Sequence, residues 1–401
     1  MAWVEQVGTR SWRVRFPNED GGVSSINGFP GRQVAEEYAT TLEIQQRQGQ
    51  WIDPVAGRVP LAEWVEQWWP TVDVAERTEE NYRSNLRNHV LPQWGHRRLC
   101  DITTSELHAW TRDLRAAGYA QSTVSSQIKL LSMIMTDAVD ARLITVNPVR
   151  RRRRGRRMVS PLHERVWADP DHVVRIAEQA TRLAGSTIGL LIITGAWTGA
   201  RWGELTGLQR FNTHLDDGVI VIDPLIGALH ESGSRLWLGP PKTAASVRTI
   251  TLPPFLITLL RDHLESSDET AVFPGPRGGW LRRSNVYRRA LRPAADGNLH
   301  IAHPRVRAVP IRPGLTFHGL RHSHKTWLID DGMPEIAQAR RLGHHLPNRV
   351  VETYSHVAAD LNQRLLDGLE RRWHTSQRAA KTDRTPVAEQ RASLSSGRAA
   401  A

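Results

Sequence analysis

One cysteine, Cys100, stands in the whole chain of 401 residues. That excludes a disulfide scaffold, a thiolate zinc finger and a CxxC redox centre, each of which needs at least two thiols. Lysine is almost as scarce. Lys129, Lys242, Lys325 and Lys381 are the only ammonium side chains among 53 basic residues, and the rest are arginine. GC-rich codon usage accounts for such a bias, and it singles out each lysine that survives it, because arginine replaces neither its acidity nor its shape. Long apolar runs are missing too: no stretch reaches the eighteen or so uncharged residues of a membrane-spanning helix. Met1 to Arg10 lacks the basic-then-apolar order of a secretory leader. The expected setting is a reducing cytoplasm, with no membrane partner.

What the chain does have is positive charge. Lys and Arg exceed Asp and Glu by 53 − 41 = 12, and Arg150, Arg151, Arg152, Arg153, Arg154, Arg156 and Arg157 supply seven of those charges. Such an excess points to a polyanion, with nucleic acid the first candidate. At this length two or three domains are expected, and the overall class is mainly α with small β-sheets (α+β).

Residues 1–55 read as a small module of strands and one helix. Trp12, Val14 and Phe16 alternate with Arg13 and Arg15, the period of a half-buried strand whose outer face is basic. A second short strand is expected near Val23 to Ile26, and a helix from about Gln33 to Gln48. Residues 58–149 read as four helices: one carrying Leu61, Trp64, Val65 and Trp68; one capped by Thr78 and ended at Leu91-Pro92; one capped by Thr104 or Ser105; and one opened by Ser122. Residues 150–160 are a basic linker without apolar periodicity. Residues 161–373 form a larger mixed α/β domain, with strands at Val219 to Ile222 and Val247 to Leu252. Residues 374–401 are expected to be a disordered tail.

Chemistry concentrates in the larger domain. GAWTGARWGELTGLQR places Arg201 at a helix start, where backbone amides favour an anion. PPKTAASVRTITL sets Lys242 at a proline-marked hairpin, with Arg248 opening the return strand. TFHGLRHSH spaces His318 and Arg321 by one helical turn, so both can address one target. The cluster of His318, His322 and His324 leaves zinc as a rival reading, although no HExxH pattern accompanies it. RLGHH ends a helix at a glycine turn with His344, and His345 is a competitor for the same place. ETYSH then brings Tyr354 on an amphipathic stretch.

Taken in order, TGARWGEL, PKTAASVRTI, HGLRH, LGH and TYSH resemble the tyrosine recombinase, or phage-type integrase, family. The likeness extends back through residues 61–148 to that family's helical core-binding domain, and more weakly to its small arm-binding module at residues 1–55. The resemblance implies a metal- and ATP-independent strand transferase that cuts and rejoins duplex DNA through a 3′-phosphotyrosine. It implies Tyr354 as nucleophile, Arg201 and Arg321 on the nonbridging oxygens, Lys242 as general acid, and His318 as the group that helps deprotonate the tyrosine. His344 is then a donor to phosphate, and Glu204 supports Arg201 and a neighbouring histidine. No cofactor or metal is expected. The implied partners are double-stranded attachment sites, three further copies of the chain in a tetramer on DNA, and accessory DNA-bending or directionality proteins, with integration or excision of a phage or other mobile element as the use. Arg13, Arg15 and Arg150 to Arg157 are candidate DNA contacts. The alternatives are a type IB-like topoisomerase and a DNA-binding relative without activity.

Overall fold

The computed structural model describes residues 2–17, 21–47, 56–149, 165–344 and 359–382. The chain divides into two compact units between Met158 and Val159. The basic linker from Arg150 to Arg157, the segment holding His345 and Tyr354, and residues 383–401 lie outside the described residues.

In the first unit, β1 (Trp3–Gly8), β2 (Ser11–Pro17) and β3 (Val23–Phe29) form an antiparallel sheet in that order, followed by α1 (Arg32–Arg47). β1 is a strand the sequence reading lacks, and it pairs Val4 with Val14 and Glu5 with Arg13. Val14 and Phe16 point into a small core with Ala35, Ala39 and Leu42 of α1. The outer face is not purely basic: Glu5 lies 2.6 Å from Arg13 and 3.7 Å from Arg15, and the Arg15 guanidinium sits 5.7 Å from the Trp3 ring centroid.

The helical part of that unit contains α2 (Leu61–Trp68), α3 (Glu76–Asn85), α4 (Leu91–Trp94), α5 (Thr104–Ala116) and α6 (Gln121–Asp140). Their apolar stripes meet in a core that includes Leu61, Val90, Leu131, Ile134 and Met135. The caps fall slightly off the expected positions. Thr103, not Thr104, caps α5, closing a capping box with Glu106, and Thr78 lies inside α3. Nor does Pro92 stop its helix. The turn before it, Leu86–Val90, widens to a π-turn, and Leu91 bonds back to Leu86. Pro293 follows the same arrangement after the π-turn Tyr287–Leu291. A proline has no N–H to donate and its ring crowds the carbonyl four residues back, so a widened preceding turn accommodates it without a break.

The second unit is built on α7 (Pro170–Ala184), α8 (Ser186–Thr198) and the short α9 (Trp202–Thr206). Next come β4 (Thr213–His214), β5 (Val219–Ile222), β6 (Ala228–Ser232), β7 (Arg235–Gly239) and β8 (Arg248–Thr251). The remaining helices are α10 (Pro254–Glu265), α11 (Arg283–Val286), α12 (Arg292–Asp296), α13 (Phe317–Asp330), α14 (Glu335–Leu342) and α15 (Ala359–Thr382). The strands make two separate sheets, β4-β5-β8 and β6-β7. Lys242 therefore lies on the connection between sheets, not on a hairpin. Trp197, on α8, is fully buried and packs its ring against Trp327, Phe255 and Trp373, with its Nε1 donating to the Leu369 carbonyl at 3.0 Å. That cluster ties α8, α10, α13 and α15 together. α15 also runs past residue 373: Ser376 is buried, so residues 374–382 are helix and not tail. Among the described residues no helix is long and apolar enough to cross a membrane.

Candidate active site

Two helix ends meet beneath the site. α8 stops at Gly199 with φ +66°, and α14 stops at Gly343 with φ +64°. A Cβ on Gly199 would stand 2.6 Å from Leu342 Cδ2 and 2.8 Å from the His324 ring, and one on Gly343 would stand 2.7 Å from the Ala245 carbonyl oxygen. Only glycine fits either place. At α14 the His344 amide bonds to the Ala339 carbonyl and the Gly343 amide to the Arg340 carbonyl, a Schellman turn.

A helix end leaves its last carbonyls without partners and carries partial negative charge. Here arginines fill those places. Arg248 Nε donates to the Arg341 carbonyl at 2.7 Å, Arg321 Nη2 to the Leu342 carbonyl at 2.5 Å, and Arg201 Nη2 to the Gly343 carbonyl at 3.1 Å. Arg321 also spans to the other helix end, donating from Nη1 to the Gly199 carbonyl at 2.7 Å. Three consecutive carbonyls thus hold three guanidinium groups in fixed relation.

Among the described residues Glu204 supplies the one carboxylate of this cluster. It is buried, accepts from Arg201 Nη1 at 2.7 Å and Arg248 Nη2 at 2.9 Å, and takes the Arg201 backbone N–H at 2.9 Å. Its second side-chain partner is thus Arg248, where a histidine was expected. The backbone N–H of Arg201 is likewise committed to Glu204 and not open to an anion. Burial pushes the Glu204 carboxyl up, but Arg248 and Arg201 together outweigh it and hold the group below its ordinary value. A depressed folded pKa means that this stabilisation is complete above the unfolded value, roughly 4.3, and is lost as pH falls through the lower folded value. Glu204→Gln should therefore cost about 3–5 kcal/mol near neutral pH, the usual penalty for stranding a buried charge. Denaturant unfolding of both proteins across pH checks this: the gap should close in strong acid, and a pH-independent gap would contradict it.

Around this base stand the histidines. His318 is exposed on the first turn of α13, its ring perpendicular to that of His322 at 4.8 Å. Burial of part of the ring, then the charges of His322, Arg321, Arg165 and Arg201, push its pKa down to about 4. His344 is pushed to about 4 as well, by burial and then by Arg321 and Arg201. Both are neutral at pH 7. The Arg321 guanidinium lies 2.7 Å from His344 Nε2, and a guanidinium only donates, so His344 accepts there and carries its hydrogen on Nδ1. Burial followed by the charges of Arg201 and Arg248 lowers Arg321 to about 9, which leaves it a cation. Lys242 is exposed beside the cluster's outer loop, with Ser246 of that loop accepting from Arg201 Nη1 at 2.9 Å.

The structure thus brings Arg201, Glu204, Arg321 and His344 into one hydrogen-bonded group, sets His318 within reach of the charges of Arg321 and Arg201, and adds Arg248 and Arg341, to which the sequence reading gave no role. Arg248 is 6% exposed in its side chain and links Glu204 to α14. Arg341 is buried among neutral acceptors: His324 Nε2 at 2.9 Å and the carbonyls of Thr251 and Trp197, each at 3.0 Å. His324 gives its Nδ1 hydrogen to the Ala196 carbonyl at 2.8 Å, so both ring nitrogens are engaged and neither is open to a metal. A signal for these residues existed. Arg248 is in phase with buried Ile250 and Leu252 on its strand, and His324 with Phe317, Leu320 and Leu328 on its helix, so each falls on an inward face. Tyr354, Arg150 to Arg154, Arg156 and Arg157 lie outside the described residues.

Residues 169–360 match the sequence model of the phage integrase family, and residues 61–115 match that of the SAM-like N-terminal domain of phage integrases. The chain belongs to the phage integrase family, the tyrosine recombinases. The putative prophage phiRv2 integrase of Mycobacterium tuberculosis is 27% identical over 368 residues, 88% of this chain and 91% of that protein. Two solved structures share the fold of this recombinase. The Tn1549 transposon integrase, in complex with a circular-intermediate DNA, is 17% identical with a TM-score of 0.59, covering 77% of this chain and 99% of that one. A lambda integrase tetramer bound to a Holliday junction is 18% identical with a TM-score of 0.52, covering 88% and 94%.

Proposed function

We propose that this recombinase joins two defined DNA sites by metal-independent strand exchange, as the integrase of a phage or other mobile element. The observation that carries the reading is the pair of guanidinium groups, Arg201 and Arg321, fixed on adjacent carbonyls of one helix end with neutral His318 and His344 beside them. A phosphodiester resists attack because its anionic oxygens repel a nucleophile, and the transition state gathers more charge there. Two preorganised arginines neutralise that charge without a metal ion.

In this account Tyr354 Oη attacks phosphorus while neutral His318 helps take its proton, and the bond from phosphorus to the 5′-oxygen breaks. Lys242 protonates the leaving oxygen, and His344 donates from Nδ1 to a phosphate oxygen. The resulting 3′-phosphotyrosine keeps the bond energy, so a 5′-hydroxyl from a second site can reseal the strand without ATP. The family match favours this over relaxation by a type IB-like topoisomerase, and an intact set of chemical groups argues against an inactive relative.

The assembly is read as a tetramer on paired sites, supported by the tetrameric lambda integrase on a Holliday junction. The strap from Arg150 to Arg157 is read as a phosphate contact joining the helical domain to the catalytic one, and residues 1–55 as a binder of separate flanking sites, through Arg13 and Arg15 in part. Action is placed in the cytoplasm at the nucleoid, with DNA-bending and directionality proteins as further partners. The test is recombination between two site-bearing DNAs in excess chelator. Joined products are expected. Loss of joining with rescue by zinc or magnesium, or relaxation of supercoils without joining, would overturn the proposal.

A further inference from the structure

The hairpin of β6 and β7 sets His230 opposite Trp237 and Ala228 opposite Gly239. The His230 and Trp237 rings lie 18° apart in tilt with centroids 5.4 Å apart, and Arg235 caps the stack 5.2 Å from the Trp237 centroid. From there His230 Nε2 reaches beyond the end of β7 to the Pro240 carbonyl at 2.9 Å. A carbonyl only accepts, so Nε2 carries the hydrogen. Gly239 allows the approach, since a Cβ there would stand 3.0 Å from His230 Cδ2 and 3.1 Å from its Nε2. The hairpin is itself anchored by Arg282, which donates to the Gly233 and Ser234 carbonyls and pairs with Glu231 at 3.6 Å.

Lys242 follows two residues after Pro240. Prolines in succession fix φ and restrict the residue before each to extended backbone. A held Pro240 carbonyl therefore sets the point and direction from which Lys242 departs. On its other side, Thr243 Oγ1 bonds Ser246 Oγ at 2.9 Å, and Ser246 Oγ accepts from Arg201 at 2.9 Å. The exposed lysine is suspended between a histidine on the hairpin and a hydroxyl pair on the first arginine.

We propose that His230 is a positioning residue for Lys242, aiming its ammonium at the leaving oxygen through the Pro240 carbonyl. The inference rests on the reading of Lys242 as proton donor. In that step an Nζ–H bond breaks as the O5′–H bond forms, the electron pair of the phosphorus–oxygen bond leaves with the oxygen, and Lys242 ends neutral.

Single-turnover cleavage of a nicked site tests it, using DNA with the ordinary bridging oxygen and DNA with sulfur in its place. His230→Phe keeps the ring on Trp237 and removes the donor, while His230→Gln restores a donor of similar reach. His230→Phe is expected to slow the oxygen substrate by about 10- to 100-fold, to match the unaltered protein on the sulfur substrate, and to bind DNA equally well. His230→Gln should recover most of the oxygen rate. An unchanged oxygen rate in His230→Phe, or equal slowing on both substrates, would overturn the proposal. Lys242→Ala is run alongside. If sulfur fails to rescue that variant, Lys242 is not the donor, and the reading beneath the proposal fails separately.

Discussion

Tyr354→Phe is expected to bind its site as tightly as the unaltered protein and to form no denaturant-resistant adduct with DNA. The substitution removes one oxygen atom, and with it the only protein group in the proposed reaction that bonds to phosphorus. Recombination should fall to background, the largest effect of any single change in this chain. The other four tyrosines have structural work. Tyr82 packs against the helical core of the first unit and Tyr287 against the core of the second, while Tyr38 meets Phe29 at 5.1 Å and Tyr119 meets His89 at 5.2 Å. Denaturing gels of protein trapped on nicked DNA check the result. An adduct that persists in Tyr354→Phe means that another side chain attacks.

The second large effect belongs to Lys242, a lysine kept in a chain that otherwise uses arginine. A guanidinium holds its proton too tightly to serve as an acid, whereas an ammonium can release one. An alkoxide leaving phosphorus needs that proton, and general acid catalysis is worth about 10² to 10⁴ in rate. Lys242→Ala should therefore cleave ordinary DNA slower by that factor. Sulfur at the bridging position leaves as a thiolate without protonation, so the sulfur substrate should restore cleavage by Lys242→Ala and by Lys242→Arg. Arg201→Ala should not be restored, because its task lies at the nonbridging oxygens. Equal response of the lysine and arginine variants to sulfur would show that Lys242 is not the acid.

Much of the architecture could be read from spacing. Val124, Ile128, Leu131 and Met135 recur every three or four residues and form α6, and the strand at Val219 to Ile222 lies where its alternation puts it. Spacing failed where tertiary context decides. β1 is a strand because β2 offers it an edge to pair with, and nothing local demands it. Pro92 and Pro293 look like stop signals, yet a π-turn upstream absorbs each. Residues 374–382 look structureless, but they continue a helix already begun.

The candidate site divides in the same way. That Arg201, Glu204, Arg321 and His344 would be gathered together was legible, because they sit in short motifs of distinctive composition. Apart from Glu204 beside Arg201, their partners were not. The acceptors that orient Arg201, Arg248 and Arg321 are backbone carbonyls at the end of α14, and any residue type has a carbonyl. Arg341 finds carbonyls on α8 and β8 in the same anonymous way, and beside them the His324 ring on α13.

The proposed reaction turns on a covalent bond between DNA and one tyrosine, made without metal. The most direct measurement traps the protein on nicked site DNA in excess chelator, digests the adduct and identifies the peptide by mass spectrometry. The predicted result is a single modified peptide containing Tyr354, joined through its phenolic oxygen to the 3′-phosphate of the cut strand. Attachment at any other residue, attachment to a 5′-phosphate, or cleavage that leaves no protein on the DNA would contradict it.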